Sequence, residues 1–174
     1  VASQLVNQPA ILGIIPQGSG NGFARHLRIS LSPQKALEQL HHAKIVKMDT
    51  GVINGKYFFN VSGVGFDGHI SKIFARQQQR GFANYVRIVL NEFQKFQPLP
   101  YRYHSKGEWM NGAYFLMAIA NTTQYGNNAI IAPKARPDDG LLDIVCMKKF
   151  PAYLLPSMAM KSMLGQLETS SYVH

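Results

Sequence analysis

Cysteine is nearly missing from this chain and acidic residues are few: one Cys and nine Asp and Glu in 174 residues. With Cys146 alone no intrachain disulfide can form, which argues against a disulfide-stapled secreted fold and points to a reducing compartment. Cys146 sits in an apolar, strand-like run, the usual setting of an inert buried thiol. Long apolar runs are missing too. The longest, Ala113 to Ala120, is far too short to span a bilayer. No secretory signal pattern is visible, and the first residue is valine rather than methionine. Lys and Arg never gather into the stripe that nucleic acid requires, and the chain has no internal repeat or low-complexity tract.

What is present is enough for a core: 46% of the residues are hydrophobic, and the length suits one large domain or one domain with part of another. Eighteen Lys and Arg give a net charge of +9, which favours polyanions or an anionic membrane surface as partners. Scattered as they are, the same charges also serve solubility alone.

The most informative stretch is Ile11 to Arg25. An apolar run stops at Pro16, passes through Gly18, Gly20 and Gly22 interleaved with Ser19 and Asn21, and resumes as Phe23-Ala24-Arg25-His26-Leu27. That pattern predicts a strand, a tight loop and a helix start. At such a junction backbone N–H groups lack internal partners and the helix dipole is positive, so an anion fits, phosphate above all. Neither the Lys-Ser/Thr ending of a P-loop nor the G-x-G-x-x-G spacing is present. A plain glycine-rich turn without a ligand therefore stands beside the phosphate reading.

Elsewhere, Val1 to Val6 reads as the tail of a helix. Ser32 and Pro33 open another, with Ala36, Leu37 and Leu40 as its apolar face. His41 and His42 close it; adjacent helical residues do not share a face, so they are not read as a metal pair. From Lys44 the texture turns to strands, over 44–48, 51–53 and 56–62, with Asn54-Gly55 as a hairpin turn. A domain boundary is expected near Ala43. Asp67 is the expected N-cap of a helix carrying Ile70, Ile73 and Phe74, with a role near phosphate or metal as the rival reading. Beyond Gly81, Phe82, Tyr85, Val86, Val89, Leu90, Phe93 and Phe96 recur at helical spacing until Pro98, as a core face or a lipid-facing one. Strands are predicted over 101–104 and 109–121, the second buried on both faces, then a polar loop over 121–128 and strands over 129–133 and 141–147. A Met-rich helix runs from Pro151 to about Gly165, and 169–174 starts an edge strand open to pairing between chains, as in a homodimer.

Asp138-Asp139-Gly140 is the second polar cluster. Two carboxylates before a glycine make an ordinary turn, or aim oxygen ligands at a hard cation such as Mg²⁺.

Taken in order, Pro16-Gln17-Gly18-Ser19-Gly20-Asn21-Gly22-Phe23-Ala24-Arg25, Asn60 to Asp67, Asn121, and Ile131 to Asp143 closely resemble the diacylglycerol kinase catalytic family, which includes bacterial lipid kinases and the sphingosine and ceramide kinases. The resemblance covers nearly all of the chain. It implies an α/β remnant of a doubly wound nucleotide-binding domain over 1–43, followed over 44–174 by a mainly β-sandwich domain with attached helices, incomplete at its C-terminus, with the active site in a cleft between the two. It implies an ATP-dependent lipid kinase, cytoplasmic and peripheral to the inner face of the membrane. Its partners would be ATP and a lipid at the membrane surface, diacylglycerol or a sphingoid base, and not nucleic acid. Gly18, Ser19, Gly20 and Asn21 would belong to the nucleotide side. Asp139, with the main-chain carbonyls of Arg136 and Leu141, would hold Mg²⁺.

Departures from the family pattern accompany the match. Gly22 replaces the aspartate that many bacterial members carry, closer to the sphingosine-kinase-like Gly-Ser-Gly-Asn, and Asn127 and Asn128 stand where glycines are common. The family's G-G-D-G-T loop is expected before Val1 and its D-G-E segment, with the general base, beyond His174. The expectation is therefore an inactive piece of a lipid kinase. A non-catalytic lipid- or nucleotide-binding module is the alternative, and soluble sugar or NAD kinase relatives are a weaker third.

Overall fold

The computed structural model describes residues 1–18, 20–76 and 82–174. Ser19 of the glycine loop and Gly81, the expected break before the aromatic helix, lie outside the described residues. In chain order the elements are α1 (Gly22–His26), α2 (Pro33–Leu40), β1 (Gly51–Ile53), β2 (Lys56–Phe58), β3 (Val61–Gly65), α3 (Phe66–Ala75), α4 (Phe82–Phe93), β4 (Leu99–Ser105), β5 (Glu108–Tyr114), β6 (Leu116–Ala120), β7 (Gln124–Gly126), β8 (Ala129–Ile130), β9 (Asp143–Met147) and α5 (Leu155–Met163). Two compact units result, each from two separated stretches: 1–62 with 120–143, and 63–119 with 144–174.

In the first unit, Asn54 and Gly55 both adopt positive φ (48° and 75°), the geometry that joins β1 to β2 with Ile53 opposite Lys56. Helix α2 starts at Pro33 as the sequence implies, and buries Ala36, but Leu37 and Leu40 are exposed. The apolar runs 11–15 and 44–48 are not strands; Ile11 and Ile45 are 71% and 74% exposed. A strand exists only by pairing with a neighbour. Among the described residues of this unit the strand pairs are β1 with β2 and β7 with β8, beside an isolated bridge between Asn21 and Gly126, and neither run joins them. The N-terminal residues make a 3-10 turn over Ala2–Gln4 rather than the end of an α-helix. The supposed polar loop contains β7, paired with the short β8, so the strand expected through Pro133 ends at Ile130.

The second unit contains a three-stranded sheet in the order β3-β6-β9, the β4–β5 hairpin, and helices α3, α4 and α5. Its core is aromatic. Phe66 stacks on Phe115 at 4.5 Å between ring centroids, Phe93 meets Phe115 edge-on at 5.0 Å, and Phe96 packs edgewise on both Phe66 and Phe115. Phe115 also divides the long strand expected over 109–121. Its N–H donates to the Met147 carbonyl and its own carbonyl accepts the Phe66 N–H, both at 2.8 Å. On one side of it β5 pairs with β4 along its whole length, and on the other β6 is the middle strand of the sheet. Only β6 is largely buried, whereas β5 faces solvent along much of its length.

Helix α3 is capped by Gly65, not by Asp67. The turn out of β3 holds φ at +83°, and a Cβ there would come within 2.6 Å of the Phe115 carbonyl oxygen, so glycine is required and the helix starts one residue later. Asp67 falls in the first turn. In α4 the buried face holds Ile88 and Phe93, while Tyr85, Val86 and Leu90 are exposed, a rotation from the face read from spacing alone. The last residues form a 3-10 turn over Leu167–Thr169. Beyond it Tyr172 and His174 hydrogen-bond through their main chains to Lys148 and Cys146, so that stretch is paired within the chain.

Truncating Phe115 to Ala should cost about 3–5 kcal/mol, the range for deleting a buried aromatic side chain. Denaturant titration should show a markedly lower midpoint, with Phe115→Leu losing less.

Candidate functional site

The glycine loop is shaped by its own asparagine. Asn21, at φ 52° and ψ 35°, accepts the Gly18 N–H on Oδ1 (3.0 Å) and donates Nδ2 to the Gly18 carbonyl (2.8 Å). This two-way clasp occupies the side chain, so it makes no cap on α1, which begins directly behind it.

Residues 125–128 lie against this loop, backbone to backbone. A Cβ on Gly22 would stand 2.3 Å from the Tyr125 carbonyl oxygen and 2.8 Å from the Gly126 nitrogen. A Cβ on Gly126, at φ +142°, would stand 3.0 Å from the Gly20 carbonyl. The aspartate of the bacterial pattern has no room at position 22 in this packing. The Gly20 carbonyl accepts the Asn127 N–H (3.0 Å) and Arg25 Nε (3.2 Å), and Arg25 Nη1 reaches Asn128 Oδ1 (2.9 Å). Asn127 and Asn128 both have positive φ, 48° and 62°, a conformation that glycine adopts freely and asparagine tolerates better than most residues.

The far end of α1 is held as well. His26 Nδ1 accepts the Thr123 N–H (3.2 Å) and lies 3.0 Å from Thr123 Oγ1. A ring nitrogen that accepts a backbone N–H cannot carry a proton, so the bond itself favours neutral His26. Burial pushes its pKa down, against a smaller upward pull from the Asp138 carboxylate.

From Thr123 the chain of contacts leads to the acidic bend. Asn121, wholly buried, donates Nδ2 to the carbonyls of Asp49 (2.9 Å) and Phe59 (3.0 Å) and its N–H to the Asn60 carbonyl (2.9 Å). Thr122 Oγ1 donates to Asn60 Oδ1. Asp49 then grips both ends of the bend: its N–H donates to the Pro137 carbonyl (2.6 Å) and its Oδ2 accepts the Gly140 N–H (2.7 Å). In the bend, Asp139 Oδ1 accepts the Leu141 N–H (3.0 Å), and Asp138 lies 3.3 Å from Arg136 Nε.

Gly18, Gly20 and Asn21 thus form one cluster and Arg136, Asp139 and Leu141 another, both in the first unit and linked through 121–128 and Asp49. Ser19 is outside the described residues. No group of three or more His, Cys, Asp or Glu suited to a metal occurs among the described residues. A cation here would depend on main-chain oxygens beside Asp139. That all-oxygen donor set fits a hard ion such as Mg²⁺ and not a thiophilic one. Asp67, the other acidic candidate, belongs to the second unit, where its carboxylate lies against the bare Cα of Gly63 and burial raises its pKa.

Asp49 and His26 are the residues that reading the sequence missed. Their partners lie 91 and 97 positions away. The only local hint is the polar Asp49-Thr50 step between two apolar runs.

The glycine loop and the acidic bend are thus joined within one unit through Asn121, Thr123 and Asp49. Comparison with known proteins then gives the family. Residues 1–53 match the model of the diacylglycerol kinase catalytic domain, and residues 60–174 match that of the YegS C-terminal NAD kinase beta sandwich-like domain. The chain belongs to the diacylglycerol kinase catalytic family. A Mycobacterium tuberculosis protein named "Diacylglycerol kinase" is 34% identical over 141 residues, covering 76% of this chain and 46% of the relative. A Pseudomonas aeruginosa protein named "Probable lipid kinase YegS-like" is 32% identical over 137 residues, covering 78% and 45%. The chain therefore spans about half the length of the curated relatives it matches. Two crystal structures from Bacillus anthracis str. Sterne share the fold. One has a TM-score of 0.71 at 18% identity and covers 97% of this chain and 55% of the other. The second, described as a diacylglycerol kinase, has 0.59 at 20% and covers 88% and 46%.

Two measurements check this packing. Gly22→Ala should cost about 1–3 kcal/mol or more, because a methyl group cannot fit 2.3 Å from the Tyr125 carbonyl oxygen without moving the backbone; a thermal melt unchanged from the parent would contradict it. For His26, the folded pKa lies below the unfolded value, so its contribution is complete above pH about 6.5 and is lost as pH falls through that value toward the lower folded one. The fall in stability from neutral to mildly acidic pH should be shallower in His26→Gln.

Proposed function

We propose that this chain is part of an ATP- and divalent-cation-dependent lipid kinase that moves the γ-phosphate of ATP to the primary hydroxyl of a membrane lipid, diacylglycerol first and a sphingoid base second. The observation that carries this reading is the succession of two family matches, over 1–53 and then 60–174.

Gly18, Ser19, Gly20 and Asn21 serve the nucleotide. A loop already clasped by Asn21 has little conformational freedom left to lose when a phosphate binds. Asp139 and the main-chain carbonyls of Arg136 and Leu141 would hold the cation, with Asp49 keeping the bend in shape. Mg²⁺, when bound, supplies neutralisation of phosphate charge. The net charge of +9 favours work at an anionic leaflet, cytoplasmic and peripheral to the membrane; each basic residue near such a surface is worth about 1 kcal/mol. No helix among the described residues is long and apolar enough to cross a membrane.

Phosphoryl transfer also needs a base near the attacking hydroxyl and a full phosphate cradle. Neither the G-G-D-G-T loop nor the D-G-E segment occurs in these residues. The chain by itself is expected to phosphorylate no lipid, and robust ATP-dependent turnover by it alone would overturn that.

Metal binding is tested separately by thermal melting against Mg²⁺ or Ca²⁺. Saturation should raise the melting temperature, since a ligand at a hundred times its Kd stabilises by about 2.7 kcal/mol. Asp139→Asn should abolish the rise, and identical melting with and without ion would remove the site from the proposal. Lipid phosphorylation by the encoded protein, read through the frame on both sides of this segment, decides between the enzyme and a non-catalytic binding module.

A further inference from the structure

Trp109 is the chain's one tryptophan, and it is 61% exposed. It lies opposite His104 in the β4–β5 hairpin, one pair from the turn at Lys106-Gly107, where φ is 50° and 82°. The indole is held in place: the Arg102 guanidinium carbon sits 4.3 Å from its ring centroid, and the His104 ring meets it edge-on at 5.3 Å.

Strand alternation puts Arg102, His104 and Trp109 on one face of the ribbon and Met110, 44% exposed, on the other. Among the described residues β4 and β5 pair only with each other, and His104 together with 106–110 is exposed. A tip of this kind presents apolar surface on both faces and cationic groups beside it.

We infer that the tip of the β4–β5 hairpin is a docking element for an anionic lipid surface. Tryptophan favours the headgroup level of a bilayer, where its ring is half in hydrocarbon and its N–H remains wet. Arg102 beneath the ring and Lys106 at the apex are the right groups for lipid phosphates, and Met110 is the right one for the acyl boundary. Glu108 is the one acid at the tip. The second unit as a whole carries ten Lys and Arg against four Asp and Glu, +6 of the chain's +9, so the surrounding field draws the tip to negative surfaces. Single-stranded nucleic acid also stacks on indoles, but the exposed Met110 thioether on the opposite face of the tip offers nothing to a base or a sugar. Docking of this kind goes beyond the kinase reading, because it requires no catalysis and no nucleotide.

As the sole tryptophan, Trp109 is its own reporter. The chain is titrated with vesicles of phosphatidylcholine alone and of phosphatidylcholine mixed with phosphatidylglycerol, following emission and acrylamide quenching. The mixed vesicles should shift the emission to the blue and shield the ring, and high salt should reverse both effects. Arg102→Gln with Lys106→Asn keeps the indole and removes two charges, which should weaken vesicle affinity about 30-fold. Lys106→Asn alone should weaken it about fivefold at a position where asparagine tolerates the backbone. Thermal melts establish that each variant is folded, and cosedimentation follows Trp109→Ala, which should bind at least about tenfold more weakly. The inference is overturned by sedimentation with vesicles at unchanged Trp109 emission, by no binding at all, by an oligonucleotide that shifts the emission at lower concentration than vesicles do, or by a shift that follows protein concentration without lipid. None of these results depends on whether lipid is phosphorylated.

Discussion

Where the glycine loop meets residues 125 and 126, peptide backbone lies on peptide backbone with no side chain between, and the first unit depends on that contact. Gly22 and Gly126 remove the Cβ atoms that would hold the two segments apart. Once they touch, the Asn127 N–H finds the Gly20 carbonyl, Arg25 spans from Gly20 to Asn128, and His26 meets Thr123. The five-residue helix α1 is far too short to be stable alone. It persists because the 121–128 segment secures it at both ends.

Asn121 extends the same constraint to the acidic bend. A wholly buried amide must find partners or incur a desolvation cost, and here its Nδ2 finds the carbonyls of Asp49 and Phe59. Asp49 in turn fixes the bend from Pro137 to Gly140 through its main chain and its carboxylate. Residues far apart in sequence, from the loop, the buried asparagine and the bend, are thereby made into one scaffold. The two family signatures read from the sequence are terminal points of that scaffold.

The second unit shows the same economy at Gly65. Its positive φ lets β3 turn into α3 against the Phe115 carbonyl, and Phe115 then anchors the aromatic cluster while dividing β5 from β6. Features set by nearest neighbours were legible beforehand. The Asn54-Gly55 hairpin follows from the φ values those residues tolerate, and the start of α2 at Pro33 from a ring already at helical φ. The phase of α4 was not, because Val86 and Leu90 are about as apolar as Ile88, and spacing cannot say which face meets Phe66 and Phe115. Nor could the run at 109–121 show that it belongs to two sheets.

By itself the sequence determined what is encoded locally: the glycine loop and its order relative to Asn121 and Asp138-Asp139-Gly140, hence the kinase family, and the exclusion of a disulfide between two residues of this stretch. These depend on residue types at fixed spacing. Tertiary structure alone decided that runs 11–15 and 44–48 stay unpaired, that Gly22 excludes a side chain, that Asp49 rather than a nearer residue shapes the bend, and that Trp109 faces solvent above Arg102. Each of these is settled by what a distant segment places beside the residue, and no local pattern carries that information.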